Sequence, residues 1–271
     1  MTPTGYAAGA RDPAGGVRWR RLRSAAPAIY PVQAPAIYPG RQPALGPAPS
    51  SRWRPGCAVC RGPVRAGFSR CYQCGRHARL ASGLLADVVV PISYSVKGTA
   101  LAADLWRYKS WPAPSARART SVLALLLAFL HDHGACVWRH GGMPVPGRLA
   151  VVPTGCGRPG PHPLLELASP YLRLRPAGLV LRAGRQGRDL NMHRFRADQA
   201  VAGAGVLLLD DSWVSGASAQ SAAAALKLAG ARHVAIVVLG RHLDPADAGG
   251  GPPAGWLTPG PYDPSTCAVH R

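Results

Sequence analysis

Residues 205–218 read GVLLLDDSWVSGAS, and this stretch decides the fold class of the chain. Its run of apolar residues is typical of a strand inside a sheet, and we predict that strand over residues 205–209. Two acids, Asp210 and Asp211, follow the strand directly. The alanine-rich segment beyond them, at 217–229, predicts a helix that ends at Gly230. Strand, polar loop and helix in this order indicate an α/β unit.

Apolar segments of strand length recur on both sides of this stretch, with helical segments among them. Strands that are apolar throughout, with helices between them, predict a parallel sheet that is covered on both faces. Ligands bind such sheets at the carboxyl ends of the strands, so we expect a site in the loops after residues 153 and 209. We assign residues 81–245 to this α/β domain. The other predicted strands are 87–91, 149–153, 179–181 and 234–239, and the other predicted helices are 120–133 and 163–168.

Four of the seven cysteines are regularly placed, because Cys57-x2-Cys60 is followed after ten residues by Cys71-x2-Cys74. Two such pairs can set four thiolates around one tetrahedral Zn²⁺. The residues between them have little apolar content, so the segment needs the metal in order to fold. Disulfides suit exported chains, and the N-terminus shows no export pattern. We therefore predict a zinc ribbon over residues 56–80, with no open position on the metal for catalysis.

The remaining cysteines carry less information. Cys136, Cys156 and Cys267 have no evident base partner in the sequence, so we expect them to be buried or incidental thiols. His131 and His133 stand just before a glycine at the expected end of a helix. Imidazoles commonly cap carbonyl groups at such a position, and capping is the role that we predict for them.

The two ends of the chain differ from its middle in composition. Residues 1–55 are rich in Pro, Ala, Gly and Arg and are predicted to be disordered, and 246–271 form a Gly/Pro-rich extension. The net charge is +20, and the first 80 residues hold thirteen bases and one acid. This basic end either attracts a polyanion such as single-stranded DNA or reflects an arginine bias in composition. No apolar run reaches the length of a membrane span, so we expect a cytoplasmic protein without a membrane partner.

The loop after the predicted strand at 205–209 has the residues of a ribose-phosphate site. Backbone amides at the first turn of a helix, with the hydroxyls of Ser215 and Ser218, offer a seat for a phosphate. Gly216 would let the backbone approach that phosphate closely. The carboxylates of Asp210 and Asp211 can accept hydrogen bonds from the two hydroxyls of a ribose. The alternative is that the acids and Ser215 only cap the turn and the helix.

This acidic loop resembles the motif by which type I phosphoribosyltransferases bind 5-phosphoribosyl 1-diphosphate (PRPP). With the four-cysteine ribbon in front, the chain resembles the ComF group of phosphoribosyltransferase-like proteins, and segments 94–109 and 188–195 are similar to two further stretches of that group. The resemblance implies a type I phosphoribosyltransferase core that binds PRPP with Mg²⁺. It implies that the ribose and 5′-phosphate are held by Asp210, Asp211, Ser215, Gly216, Ala217 and Ser218. It makes Lys109, Arg158 and Arg188 candidates for the diphosphate or for a lid.

The resemblance also implies an activity, which is transfer of the phosphoribosyl group to a nitrogen nucleophile as diphosphate leaves. Two alternatives stay open at this point. One is a non-catalytic accessory of the competence type that handles single-stranded DNA through the ribbon and the basic end. The other is a sensor that binds PRPP and releases no diphosphate.

Overall fold

A computed structural model describes residues 56–154, 160–182, 187, 189–246 and 267–269. The predicted disorder of residues 1–55 lies outside the described residues, and so do the diphosphate candidates Arg158 and Arg188. Of the extension predicted at 246–271, only 246 and 267–269 are described.

The described residues form an α/β structure in which five helices accompany seven strands. The helices are α1 (Tyr72–Leu80), α2 (Ala100–Arg107), α3 (Ala116–His140), α4 (Pro163–Ala168) and α5 (Ala217–Leu228), and a short 3-10 turn covers Gln199–Val201. The strands are β1 (Val88–Val96), β2 (Arg148–Val151), β3 (Arg175–Pro176), β4 (Leu179–Leu181), β5 (Phe195–Ala197), β6 (Gly205–Trp213) and β7 (His233–Leu243).

The main sheet has five strands in the order β1-β7-β6-β2-β3, and every pairing in it is parallel. The prediction of a parallel sheet is thus confirmed. Both of its faces are covered. Leu207 and Leu209 of β6 join the core that includes α3, whereas Val206 and Leu208 join the core that includes α5. This alternation is the ordinary two-residue period of a strand.

Two strand predictions need correction. Leu179–Leu181 is a strand, but it pairs antiparallel with Phe195–Ala197 in a separate two-stranded sheet. The fifth place in the main sheet is taken by Arg175–Pro176, which pairs with β2. This strand consists of an arginine and a proline, which show no strand pattern, and only two residues pair there. The sequence therefore does not predict it. Strand β6 also continues past residue 209 to Trp213, and it carries the acid pair within it.

Helix α3 is much longer than the predicted 120–133. It runs through His131, His133 and Gly134 and ends at His140, with Gly141 as its C-cap, so the capping prediction for the two histidines is wrong. A buried glycine inside a helix costs about 1 kcal/mol, and the burial of this helix outweighs that cost. Its most apolar window has a mean hydropathy of 1.5, enough by composition to span a membrane, yet 72% of that window is buried inside the domain. Packing in the core accounts for its apolar character.

Candidate functional site

Asp211 lies near the carboxyl end of β6 and accepts hydrogen bonds from two donors. The hydroxyl of Tyr108 and the ammonium of Lys109 both donate to its Oδ2 atom, each at 2.6 Å. Asp211 is only 6% exposed, so the two contacts compensate a carboxylate that would otherwise be costly to bury. The sequence makes Lys109 a candidate for binding diphosphate, and in the structure Lys109 contacts Asp211 of the acid pair. Since an ammonium has three N–H donors, two stay available for another acceptor.

The two acids differ in their protonation. Burial and the neighbouring charge of Asp211 raise the pKa of Asp210 to about 7. Burial also opposes the charge of Asp211, but Lys109 and Tyr108 stabilise that charge and bring its pKa below the ordinary value. At neutral pH, Asp211 is therefore ionised and Asp210 is close to its midpoint. By the alternation of β6, Asp211 points to the α2 and α3 face and Asp210 to the α5 face.

Tyr108 is a site residue that the sequence did not single out. It follows α2, whose first turn is capped by the Thr99 hydroxyl, and its side chain is fully buried. The charge of His162, just before α4, makes a smaller contribution to the lowered pKa of Asp211. His162 itself caps α4 through a contact of 3.1 Å from the amide of Leu164 to its Nδ1. The segment between α2 and α3 therefore reaches the end of β6.

The start of helix α5 forms the other half of the candidate site. The Ser215 hydroxyl accepts from the amide of Ala217 at 3.3 Å, so part of the predicted capping role is present. Gly216 is the N-cap residue and has no side chain to accept from the amides that follow, which leaves that first turn suited to an outside anion. Ser218 is exposed at this turn, as a phosphate ligand would need to be.

Gly216 has a structural role that differs from the predicted one. Its φ angle is +80°, and a Cβ atom there would lie 2.1 Å from the ring of Trp213. Trp213 is 1% exposed, so its ring has no room to move away. The packing of this ring accounts for the glycine without reference to a phosphate.

Arg194 is the second residue that sequence reasoning missed. Its guanidinium donates from Nη1 to the Ser218 hydroxyl at 3.0 Å and from Nη2 to the carbonyl of Asp189. The side chain is 4% exposed, its Nε has no partner among the described residues, and burial lowers its pKa. The amide of Asn191 donates to the Ser221 hydroxyl at 2.9 Å, which fastens this segment to α5. A buried cation thus lies beside the first turn of α5, within the segment 188–195 that the sequence had associated with a lid.

The four ribbon cysteines form one compact cluster. Their sulphur atoms all lie within 4.8 Å of one another, and Cys60 and Cys71 are 3.8 Å apart. A tetrahedral Zn²⁺ with bonds of about 2.3 Å sets neighbouring sulphurs about 3.8 Å apart, so this spacing fits the metal. Helix α1 begins directly after Cys71 and carries Cys74 in its first turn. The predicted cluster is thus present and can hold a metal such as zinc.

No protein-family model matches this chain, and a search of curated proteins gives no significant match. The assignment of a function therefore depends on the geometry of the acid pair, the start of α5 and the cysteine cluster.

Proposed function

We propose that this protein binds PRPP at the end of β6 and transfers its phosphoribosyl group to a nitrogen nucleophile. The observation that carries the proposal is that two complementary groups lie next to each other along the chain. The first group is the acid pair with its neighbouring lysine, and the second is the start of α5 with its neighbouring arginine. Hydroxyls of a ribose need acceptors, and its 5′-phosphate needs donors. The first group offers the acceptors and the second group offers the donors.

The 5′-phosphate would lie at the first turn of α5. There the amides of the turn, the Ser218 hydroxyl and the Arg194 guanidinium supply donors, and the helix dipole favours the negative charge. Asp210, on the same face of the sheet as α5, would accept from a ribose hydroxyl when it is ionised. Asp211 would act mainly through Lys109, whose remaining donors would face the diphosphate.

In the transfer step, the nucleophile forms a bond to the anomeric carbon while the bond from that carbon to the diphosphate oxygen breaks. Diphosphate leaves with the bonding electrons and the nitrogen releases a proton to solvent, so cations near the diphosphate lower the barrier. Lys109 is the described residue for this role, and Arg158 and Arg188 remain predictions outside the described residues. Oδ2 of Asp211 already accepts from two donors, so this oxygen is poorly suited to hold magnesium. Magnesium, where needed, would be bound by the oxygens of PRPP.

We place this activity in the cytoplasm. A cluster of four cysteines that can hold a metal suits a reducing compartment, whereas an oxidising compartment favours disulfides.

A matched pair of lysine variants tests the proposal. Lys109 pairs with Asp211 at 2.6 Å, and Lys227 pairs with Asp87 at 2.8 Å at the opposite end of the strands, where β1 begins. Calorimetry with PRPP and Mg²⁺ should show that Lys109→Met weakens binding by about 10- to 150-fold, the effect of losing one charged hydrogen bond. Lys227→Met should leave binding unchanged. Equal effects of the two changes, or no binding of PRPP by the wild type at millimolar ligand, would contradict the proposal.

Competition experiments and product analysis separate the enzyme from the sensor. Ribose 5-phosphate should compete with PRPP, because it keeps the sugar and the 5′-phosphate. Diphosphate released in the presence of ammonia or of individual nitrogen bases would identify a transferase. Binding of PRPP without release of diphosphate under any of these conditions would identify a sensor.

A second candidate function, binding of single-stranded nucleic acid, is favoured by the surface of the ribbon. Phe68 is 67% exposed and Tyr72 is 75% exposed, and the exposed arginines around them are Arg65, Arg70 and Arg79. Exposed aromatic rings can stack on bases while arginines contact phosphates, which is the usual arrangement for binding single strands.

Salt dependence and a matched variant test this second function. Affinity for a fluorescent single-stranded oligonucleotide should fall steeply between 50 and 200 mM salt as counterions compete for the phosphates. Tyr72→Ser should weaken binding by about 5- to 150-fold, since stacking contributes about 1–3 kcal/mol per base. Leu80→Ser, which removes an exposed aliphatic side chain from the same helix, should have little effect. Equal effects of the two changes would rule out stacking by Tyr72.

A further inference from the structure

A second group of metal-ligand side chains lies far from the ribbon. His133 and Cys136 of α3 meet Cys267 from the C-terminal segment, and their ligand atoms all lie within 4.8 Å of one another. His133 is 4% exposed and Cys267 is 1% exposed, whereas Cys136 is partly exposed. The sequence had indicated only incidental thiols and a capping histidine, and the fold brings the three together.

The fold positions this group from two directions. His133 and Cys136 are three residues apart on α3, so they lie on the same face of the helix. The His133 ring packs against Phe129, with the ring centroids 5.5 Å apart. Cys267 and the residue after it are buried in the same core as α3. Two side chains on a helix and one from a distant segment thus supply three of the four ligands of a tetrahedral zinc site.

We propose that His133, Cys136 and Cys267 bind a second Zn²⁺, which ties the C-terminal segment to α3. Thiolate and imidazole ligands together suit zinc. The charges also suit the location, because two thiolates balance the two positive charges of the ion and a neutral site can be buried in an apolar core. Binding removes one proton from each thiol and releases both protons to solvent.

The competing chemistry is a disulfide between Cys136 and Cys267, which would need an oxidant.

Elemental analysis of the full-length protein, purified without chelators, tests the second site. The wild type should contain two zinc ions per chain, and Cys136→Ser and Cys267→Ser should each contain one. Cys71→Ser in the ribbon should also contain one, and the double change Cys71→Ser with Cys136→Ser should contain none. Cys156→Ser, a thiol that belongs to neither proposed set, should keep both ions.

A measurement on the unchanged protein keeps the test valid if a variant fails to fold. X-ray absorption at the zinc edge of the wild type should show both sulphur and nitrogen ligands, because the ribbon supplies sulphur only. Sulphur ligands alone, with one zinc per chain, would overturn the proposal. So would a disulfide between Cys136 and Cys267 in mass spectra of the unreduced protein. Neither result would bear on PRPP binding at β6, so the two proposals fail separately.

Discussion

Replacing Gly216 with alanine should destabilise the fold through two separate costs. The φ angle of +80° is unfavourable for any residue with a Cβ atom, by about 1–2 kcal/mol. The new Cβ would also lie 2.1 Å from the buried ring of Trp213, and overpacking of this kind costs about 1–3 kcal/mol. We therefore expect Gly216→Ala to lower the free energy of unfolding by about 2–5 kcal/mol, out of the roughly 5–15 kcal/mol of a typical domain.

Gly98 provides the matched control for this prediction. Its φ angle is +90°, but a Cβ atom there would meet nothing within 4 Å. Gly98→Ala should therefore carry the backbone cost alone, about 1–2 kcal/mol. Urea unfolding followed by circular dichroism gives both values, and their difference isolates the contact with Trp213. If the two variants lose the same stability, the glycine is not required by the packing of the ring, and a ligand at this loop becomes the better explanation for it.

Three further outcomes follow from the described contacts. Cys71→Ser should remove the ribbon metal, as elemental analysis would detect, and lower the melting temperature, because the ribbon has few apolar residues of its own. Tyr108→Phe should cost about 1.5–3 kcal/mol in urea unfolding, since a buried carboxylate loses a hydrogen bond of 2.6 Å. Folding raises the pKa of Asp210 from about 3.9 to about 7, so its contribution to stability is full below pH 4 and is lost as the pH rises to about 7. Asp210→Asn should flatten that part of the stability profile. The ionised carboxylate of Asp210 is the better acceptor, so the affinity for PRPP measured by calorimetry should rise between pH 6 and pH 8. The rise should be larger in the wild type than in Asp210→Asn. Titration of the PRPP phosphates affects both proteins equally, so the difference reports on Asp210.

The parts of the structure that sequence predicts well are those fixed by local pattern. The apolar run of β6 and the alanines of α5 specify a strand and a helix without help from other segments. The cysteine spacing likewise specifies a cluster, because two short pairs can meet around one ion with little constraint from the fold. Helix α4 has the predicted bounds, since a proline begins it and an apolar group fills it.

The parts that escaped prediction depend on contacts between distant segments. Tyr108 reaches Asp211 from more than a hundred residues away, and no local pattern distinguishes it from a core tyrosine. Arg194 also resembles an ordinary surface arginine until the fold buries it against Ser218. The cluster of His133 and Cys267 requires the C-terminal segment to return to α3. The residues that the sequence does not predict are therefore charged or polar residues that tertiary contacts bury. In this protein they are also the residues that could bind a ligand or a metal.

The ribbon and the candidate ribose-phosphate site are physically connected through β7. The Tyr94 hydroxyl donates to the carbonyl of Arg61 in the ribbon at 2.8 Å, and the ribbon cysteines pack in the same core as Trp213. Arg241 of β7 lies against Gly62 of the ribbon, where a Cβ atom would meet its guanidinium at 2.6 Å. The same guanidinium donates to the carbonyl of Trp213 at 2.9 Å.

The consequence is that the cysteine cluster packs against the elements that shape the candidate site. Trp213 fixes the turn at Gly216, and that turn begins α5, where the phosphate is proposed to bind. A ribbon that only bound nucleic acid would need no such contact with the sheet. Its packing against β7 and Trp213 therefore supports a structural role for the four cysteines in shaping the loop from Asp210 to Ser218.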